Sequence, residues 1–263
     1  MLLQDKIVVI SGIGPGLGIH LAVRAAKEGA RGLSVVSRTA ANLDETERKV
    51  AEVSPSCVVL KCLGDIRKAE DCERIAKATI EKFGRVDALV NNAYVGLPPG
   101  DFEDADLDKW IGPYETNLIG TLRLTQAFLP QMKKQGGAAI VNVNTDGAKY
   151  TPYVNVSGYA ASKAALASAT RSLAFELGKY QIRVNGIHMG TMWGPYTESF
   201  IRRLGDEWGC GYEKAKAKIE DMRALKRFPT DVESAPSVLF LASDFSSAIT
   251  GASVDCNGGA FMP

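Results

Sequence analysis

The chain predicts an α/β fold, a doubly wound parallel sheet with helices on both faces, and three observations carry that reading. Short β-branched runs alternate with longer segments of helical periodicity along the 263 residues, the pattern left by parallel strands joined through right-handed helical crossovers. A glycine-rich turn, Ser11 to Gly18, lies between the first such run and the first helical segment. Hydrophobic residues make up 46% of the chain, enough for one large domain, 1–263, with a continuous core and about seven strands.

The first strand is read at Lys6–Ser11, around the apolar run Ile7-Val8-Val9-Ile10. Gly12, Gly16 and Gly18 follow it, and a helix is expected over Leu17–Glu28. That order of strand, glycine turn and helix is what a nucleotide pyrophosphate needs: the backbone turns without a Cβ clash, and phosphate oxygens approach free N–H groups at the positive end of a helix. Later strands are read at Leu33–Ser37, Val58–Leu63, Val86–Asn91, Ala139–Asn144, Arg183–His188 and Ala252–Cys256. The helices between them are Asn42–Val53, Ala69–Phe83, Ala105–Lys134, Gly158–Lys179 and Asp231–Ala242. Ligands of such sheets bind at the carboxyl ends of the strands where the winding reverses. Thr191 to Arg227 carries no strand but holds Trp193, Tyr196, Phe200, Trp208 and Tyr212 among many charges. An insertion of that kind, at about 191–227, is expected to cover a substrate.

Thirty-one Lys and Arg against thirty Asp and Glu give a net charge of +1 without a long block of one sign, which argues against a nucleic-acid or anionic-membrane surface. Apolar runs stay short of the roughly 18 residues that cross a bilayer, and a soluble cytoplasmic protein is expected. Five scattered cysteines form no Cys-x-x-Cys pair and are read as reduced. With only His20 and His188, neither a histidine metal site nor a Ser-His-Asp triad is expected.

Tyr159 and Lys163 stand four apart near a helix start, hence on one face. An ammonium beside a phenol favours the phenolate and brings its pKa toward the working range of an acid–base catalyst at an alcohol. Tyr212 and Lys216 share the spacing, but in a charged segment they read as a solvated pair. The small residues Ala160, Ala161, Ser162, Ala164 and Ala165 around the first pair permit close approach to the sheet and to a flat ring.

With these residues in place the whole chain resembles the short-chain dehydrogenase/reductases, in their single-domain branch of about 250 residues with a Rossmann-like fold. Ser11 to Gly18 is similar to the family's Thr-Gly-x-x-x-Gly-x-Gly, Asn91-Asn92-Ala93 to its Asn-Asn-Ala-Gly, and Tyr159 with Lys163 to its Tyr-x-x-x-Lys. Arg183 to Ile187 with Gly190 resembles the sixth-strand motif, and Ile249-Thr250-Gly251 with Asn257-Gly258-Gly259 resembles the closing motifs. The resemblance implies an NAD(P)-dependent oxidoreductase acting on CH–OH, with catalytic Tyr159, Lys163, Thr145 and Asn117. It implies a dinucleotide held by Gly12, Gly14, Gly16, Leu17 and Gly18, by Ser37, Arg38, Asp65 and Ile66, and by Asn92, Ala93, Gly190 and Thr191 along with Tyr159 and Lys163. Asp65 stands where the family bonds the adenine amino group, and Asn117 where a water leads to the lysine. A homotetramer built on the two long helices is also implied.

Departures from the family pattern shape the expectations. Matching the fifth strand puts Thr145 where the family has serine, whereas counting thirteen residues back from the tyrosine lands on Asp146. Thr145 is preferred, because a hydroxyl both donates and accepts, while an ionised Asp146 only accepts and opposes a phenolate. Tyr94 replaces a glycine, His188-Met189 stands where a proline precedes Gly190, and Gly194 takes the place of a threonine. The second strand ends in Ser37-Arg38-Thr39 without a carboxylate, so NADP(H) is favoured over NAD(H), with Arg38 on the 2′-phosphate. Tyr94, Tyr153, Trp193 and Tyr196 are the candidate substrate residues, with Tyr150 and Trp208 near them. They favour a secondary alcohol or ketone on a compact hydrophobic ring, of terpenoid, steroid or cyclohexanoid type. The alternatives are a 3-oxoacyl thioester reductase, with Arg202 and Arg203 as a basic entry patch, and a catalytically weak nucleotide-binding sensor or scaffold.

Overall fold

A computed structural model describes residues 1–97, 100–150 and 156–262. Seven parallel strands stand in the order β3-β2-β1-β4-β5-β6-β7. They are β1 (Ile7–Ser11), β2 (Gly32–Ser37), β3 (Val58–Leu63), β4 (Ala88–Asn91), β5 (Ala138–Thr145), β6 (Ile182–Met189) and β7 (Ser253–Cys256). The expected strands are all present. The winding runs outward from β1 to β3, then reverses at β4 and runs the other way, leaving a crevice at the carboxyl ends of β1 and β4.

The central strands β1, β2 and β4 are buried throughout because both faces are covered, while the edge strands β3 and β7 are partly exposed. Val8 and Ile10 of β1 pack into one core with Leu17, Leu21, Leu43, Val238 and Leu239, from α1 (Leu17–Lys27), α2 (Ala40–Val53) and α9 (Asp231–Ala242). Val9, between them, packs into a second core with Ile75, Leu124, Phe128 and Leu177, from α3 (Ala69–Phe83), α5 (Thr121–Lys134) and α6 (Ser157–Leu177). Alternate residues of a strand thus feed opposite layers.

The helix expected over Ala105–Lys134 is broken. Two 3-10 turns, Phe102–Asp104 and Leu107–Trp110, precede a single turn, α4 (Ile111–Pro113), and a π-helical stretch, Tyr114–Gly120, before α5. The Asp106 side chain accepts the Asp108 N–H at 3.1 Å, a local bond that competes with α-helical pairing. The insertion forms α7 (Pro195–Glu207) and α8 (Tyr212–Asp221). These close a small core of Ile201, Leu204, Ala215, Ile219 and Phe228.

Candidate active site

The phosphate turn is built by close backbone approach. Gly12 has φ +75°, and a Cβ on it would fall 2.4 Å from Ala93 Cα. Asn92 locks that contact by donating its Nδ2–H to Gly12 O at 2.9 Å and its main-chain N–H to Ser11 Oγ at 3.2 Å. A Cβ on Gly18 would lie 2.3 Å from Gly12 O, so α1 sits directly on the turn. Gly14 and Gly16 instead face open space, with nothing nearer to such a Cβ than Asn42 Nδ2 at 4.0 Å and Asp231 Oδ2 at 3.7 Å. No side chain caps α1 at Gly16, and its uncapped N–H groups and dipole make an anion site. A bare turn whose glycine cradle a Cβ would fill fits a dinucleotide pyrophosphate.

The cleft continues past Ile13, Ser37, Arg38, Asp65, Ile66 and Ala93 to Tyr94. Ser37 donates to Ile13 O at 2.9 Å and accepts the Thr39 N–H at 3.2 Å, which fixes the turn that presents Arg38. Arg38 is exposed and forms no ion pair among the described residues. Asp65 is not a helix N-cap, since Lys68 holds that position. Its carboxylate is gripped by Arg67, with Nε at 2.9 Å from Oδ2, and this guanidinium holds it below the usual carboxylate range.

At the end of β5, the Thr145 side-chain hydroxyl accepts the Gly147 N–H at 3.3 Å and faces Asp146 Oδ1 at 3.4 Å, and it lies close enough to the Tyr159 phenol to draw its pKa down. Lys163, one turn further along α6, is buried at 2% exposure and donates from Nζ to Val143 O at 2.7 Å. β4 ends opposite Asn142, which leaves Val143 O free of β4 pairing and open to that bond. Burial lowers Lys163 from its ordinary 10.5 to about 7. Burial also pushes the half-buried Tyr159 above its ordinary range, an effect that Tyr94 reinforces and the nearby Thr145 hydroxyl partly offsets. The expected lowering of the phenol by its cation is therefore absent in the chain alone: the amine is turned toward Val143 O, and desolvation outweighs it.

Asn117 is fully buried in the π-helical stretch. Its Oδ1 accepts the Val95 N–H at 2.8 Å, and its Nδ2 donates to Val95 O and Ser162 Oγ, each at 2.9 Å. It thereby ties the loop after β4 to the helix carrying Tyr159 and Lys163. Asp146 is buried, accepts from the Tyr150 hydroxyl at 3.1 Å, and has its carboxyl pushed up by desolvation. Gly190 touches this group, as a Cβ there would lie 3.1 Å from Asp146 Oδ2. Thr191 is half-buried just beyond.

Among the substrate candidates, the Tyr94 ring lies 6.1 Å from that of Tyr159, centroid to centroid, and Tyr196 is close enough to Tyr94 to act on its hydroxyl. Trp193 packs on Phe228 at 5.7 Å with Lys216 above it, which makes it part of the insertion's own packing. Trp208 lies under Lys218, and Tyr153 lies outside the described residues. Arg202 and Arg203 are not an open basic patch, because each is paired on its own helix, with Glu198 and Glu207. Sequence reasoning missed Asn144 and the role of His188, whose contacts arise only when β5, β6 and β7 lie side by side.

A crevice at the reversal of a parallel sheet, a bare glycine turn and a Tyr-Lys pair beside a hydroxyl define a dinucleotide-dependent oxidoreductase. The chain belongs to the short-chain dehydrogenase/reductase family, and residues 12–260 match the family model described as enoyl-(acyl carrier protein) reductase. It is 34% identical to levodione reductase of Leifsonia aquatica over 258 residues, covering 97% of this chain and 94% of that one. A crystal structure of levodione reductase superposes with a TM-score of 0.90 at 33% identity, covering 98% of each chain. L-sorbose reductase from Gluconobacter frateurii, solved with NADPH and L-sorbose, gives 0.90 at 28% identity over 100% of this chain and 99% of that one. Carveol dehydrogenase from Mycobacterium avium, solved with NAD, gives 0.89 at 26% over 98% of each. Among the described residues no group of side chains could hold a metal ion, and no helix is long and apolar enough to cross a membrane.

Proposed function

We propose that the protein interconverts a secondary alcohol and a ketone on a compact hydrophobic ring, with NADP(H) preferred over NAD(H). The single observation that carries the reading is the convergence at one strand end of the Thr145 hydroxyl, the Tyr159 phenol it acts on and the buried Lys163 amine one turn along α6. A nicotinamide dinucleotide bound along the cleft supplies or accepts the hydride. In the reducing direction Thr145 donates a hydrogen bond to the substrate carbonyl and Tyr159 delivers the proton to the same oxygen. Lys163, lowered to about 7 by burial, would hold the ribose of a bound dinucleotide and, when protonated, would favour the Tyr159 phenolate. Asn117 holds the loop and α6 together so that these groups keep their spacing.

Arg38, exposed and without an ion-pair partner among the described residues, supports the NADP(H) preference, since a guanidinium matches a 2′-phosphate in charge and shape. Tyr94 and Tyr196 supply aromatic walls for an apolar ring, and levodione reductase, carveol dehydrogenase and 7alpha-hydroxysteroid dehydrogenase are among the relatives whose names fit such substrates. The paired state of Arg202 and Arg203 argues against the acyl-carrier alternative. Five free thiols suit the reducing cytoplasm. Phe175 on α6, 90% exposed, suits burial of that helix in a homotetramer. The test is a panel of cyclic alcohols and ketones with both cofactors, read by absorbance of the reduced nicotinamide. Turnover highest on cyclic ketones with NADPH is the expected result. Greater efficiency on acyl thioesters would overturn the substrate assignment, and NADPH binding without any oxidation would point to a sensor.

A further inference from the structure

We propose that Asn144 and His188 are positioning residues that clamp Thr145 from two sides and so fix the place of its hydroxyl beside the Tyr159 phenol. The proposal rests on the reading of Thr145 and Tyr159 given above. Pairing between β4 and β5 ends at Asn91 and Asn142, whereas β5 and β6 stay paired as far as Thr145 and Met189. The last three residues of β5 therefore have a neighbouring strand on one side only. A catalytic hydroxyl placed there needs other partners to hold its main chain.

Asn144 provides them toward α6. Its Oδ1 accepts the Thr145 N–H at 2.9 Å, and its Nδ2 donates to Lys163 O at 3.0 Å. The peptide entering Thr145 is thus tied to the helix that carries both Tyr159 and Lys163. Asn144 is 3% exposed, so these bonds form away from competing water.

His188 grips the opposite end of the residue. Its Nδ1 lies 3.0 Å from Thr145 O and its Nε2 lies 2.8 Å from Ser253 Oγ. A carbonyl oxygen only accepts, so Nδ1 carries the proton and Nε2 accepts from the Ser253 hydroxyl. The ring is fully buried, and that burial holds its pKa below the ordinary histidine value. Lys149 and Lys163 oppose its charging and Asp255 favours it, and the neutral ring serves as a fixed bridge across β5, β6 and β7.

Pinning both N–H and C=O fixes φ and ψ at Thr145, and a β-branched side chain has few χ1 choices left once its backbone is set. The clamp thus narrows the directions open to Oγ1, which the Gly147 N–H at 3.3 Å and Asp146 Oδ1 at 3.4 Å hold further, toward the tolerance of about half an ångström that a proton-transfer geometry demands. Neither residue touches the reacting atoms, and both act through Thr145.

The experiment compares His188→Leu, His188→Asn, Asn144→Ala and Thr145→Ala. For each, kcat for a cyclic ketone is measured alongside the dissociation constant of NADPH from fluorescence titration. His188→Leu and Asn144→Ala are expected to lower kcat at least tenfold while cofactor affinity stays within about threefold. His188→Asn, which keeps an N–H at the Nδ1 position, is expected to recover most of that loss. Ring ¹⁵N spectra of the wild type, with the second histidine assigned through His20→Gln, are expected to show the Nδ1–H tautomer. An Nε2–H tautomer, or full kcat in His188→Leu while Thr145→Ala is impaired, overturns the clamp. Full kcat in Thr145→Ala would instead count against the reading of the site itself.

Discussion

Replacing Lys163 by methionine removes a buried amine whose solvation the native state lacks, and the size of the effect follows from the structure. Lys163 is 2% exposed, and its one hydrogen bond among the described residues, to Val143 O, sits in an environment that lowers it from 10.5 to about 7 by desolvation alone. At about 1.4 kcal/mol per pH unit this corresponds to about 5 kcal/mol. The native amine loses its proton near pH 7, while the unfolded one keeps it to about 10.5. Between those values the unfolded chain binds more protons, so the stability of the free enzyme rises with pH through that window, and the full cost is present below it. Methionine has similar length and no charge, so Lys163→Met lacks this dependence. It loses the bond to Val143 O, worth about 1–3 kcal/mol, and is expected to be more stable than wild type by about 3 kcal/mol near pH 7. Urea unfolding of both proteins without cofactor, at about pH 6.5, 8 and 9.5, measures the difference, which should shrink by about 3 kcal/mol from the first to the last. A difference that stays constant with pH would refute a desolvated amine in the native site.

Three further outcomes follow from the same geometry. Arg38→Asp should shift the ratio of NADPH to NADH efficiency toward NADH by more than about tenfold, since it exchanges a phosphate partner for a phosphate repellent; an unchanged ratio removes Arg38 from cofactor selection. Gly12→Ala forces a Cβ to 2.4 Å from Ala93 Cα at a φ of +75° and should cost about 3 kcal/mol or more in unfolding free energy. Gly96→Ala, with nothing within 4 Å, is the matched control, and equal stabilities of the two variants would contradict the close approach. Because burial holds His188 below its ordinary pKa, the unfolded chain takes up a proton that the native ring resists. Stability should therefore fall as pH drops below about 6.5. His188→Asn should flatten that part of the curve, and an unaltered slope would show that the ring titrates freely.

The sheet was legible chiefly from its central strands, which are buried on both faces, so that Ile7-Val8-Val9-Ile10 stands out as an unbroken apolar run ahead of an amphipathic helix. The glycine turn was legible for a local reason: Gly12 and Gly18 leave room for main-chain atoms that a side chain would strike. The segment before α5 was not, because the π-helical stretch around Asn117 is bonded to Val95 and Ser162, partners distant in sequence that leave periodicity unchanged. Tyr159 and Lys163 could be paired by spacing, but the lysine's bond to Val143 O depends on β5 running past the end of β4. The same overhang is what gives Asn144 and His188 their contacts with Thr145.

The central claim is that the Tyr159 phenol delivers the proton at the reacting oxygen, and Tyr159→Phe tests it most directly, since it removes one oxygen and keeps the ring. Steady-state rates on the best cyclic ketone, with NADPH affinity measured separately by fluorescence titration, are predicted to show kcat reduced about a thousandfold or more at a dissociation constant within about threefold of wild type. Turnover in Tyr159→Phe within tenfold of wild type would contradict the account.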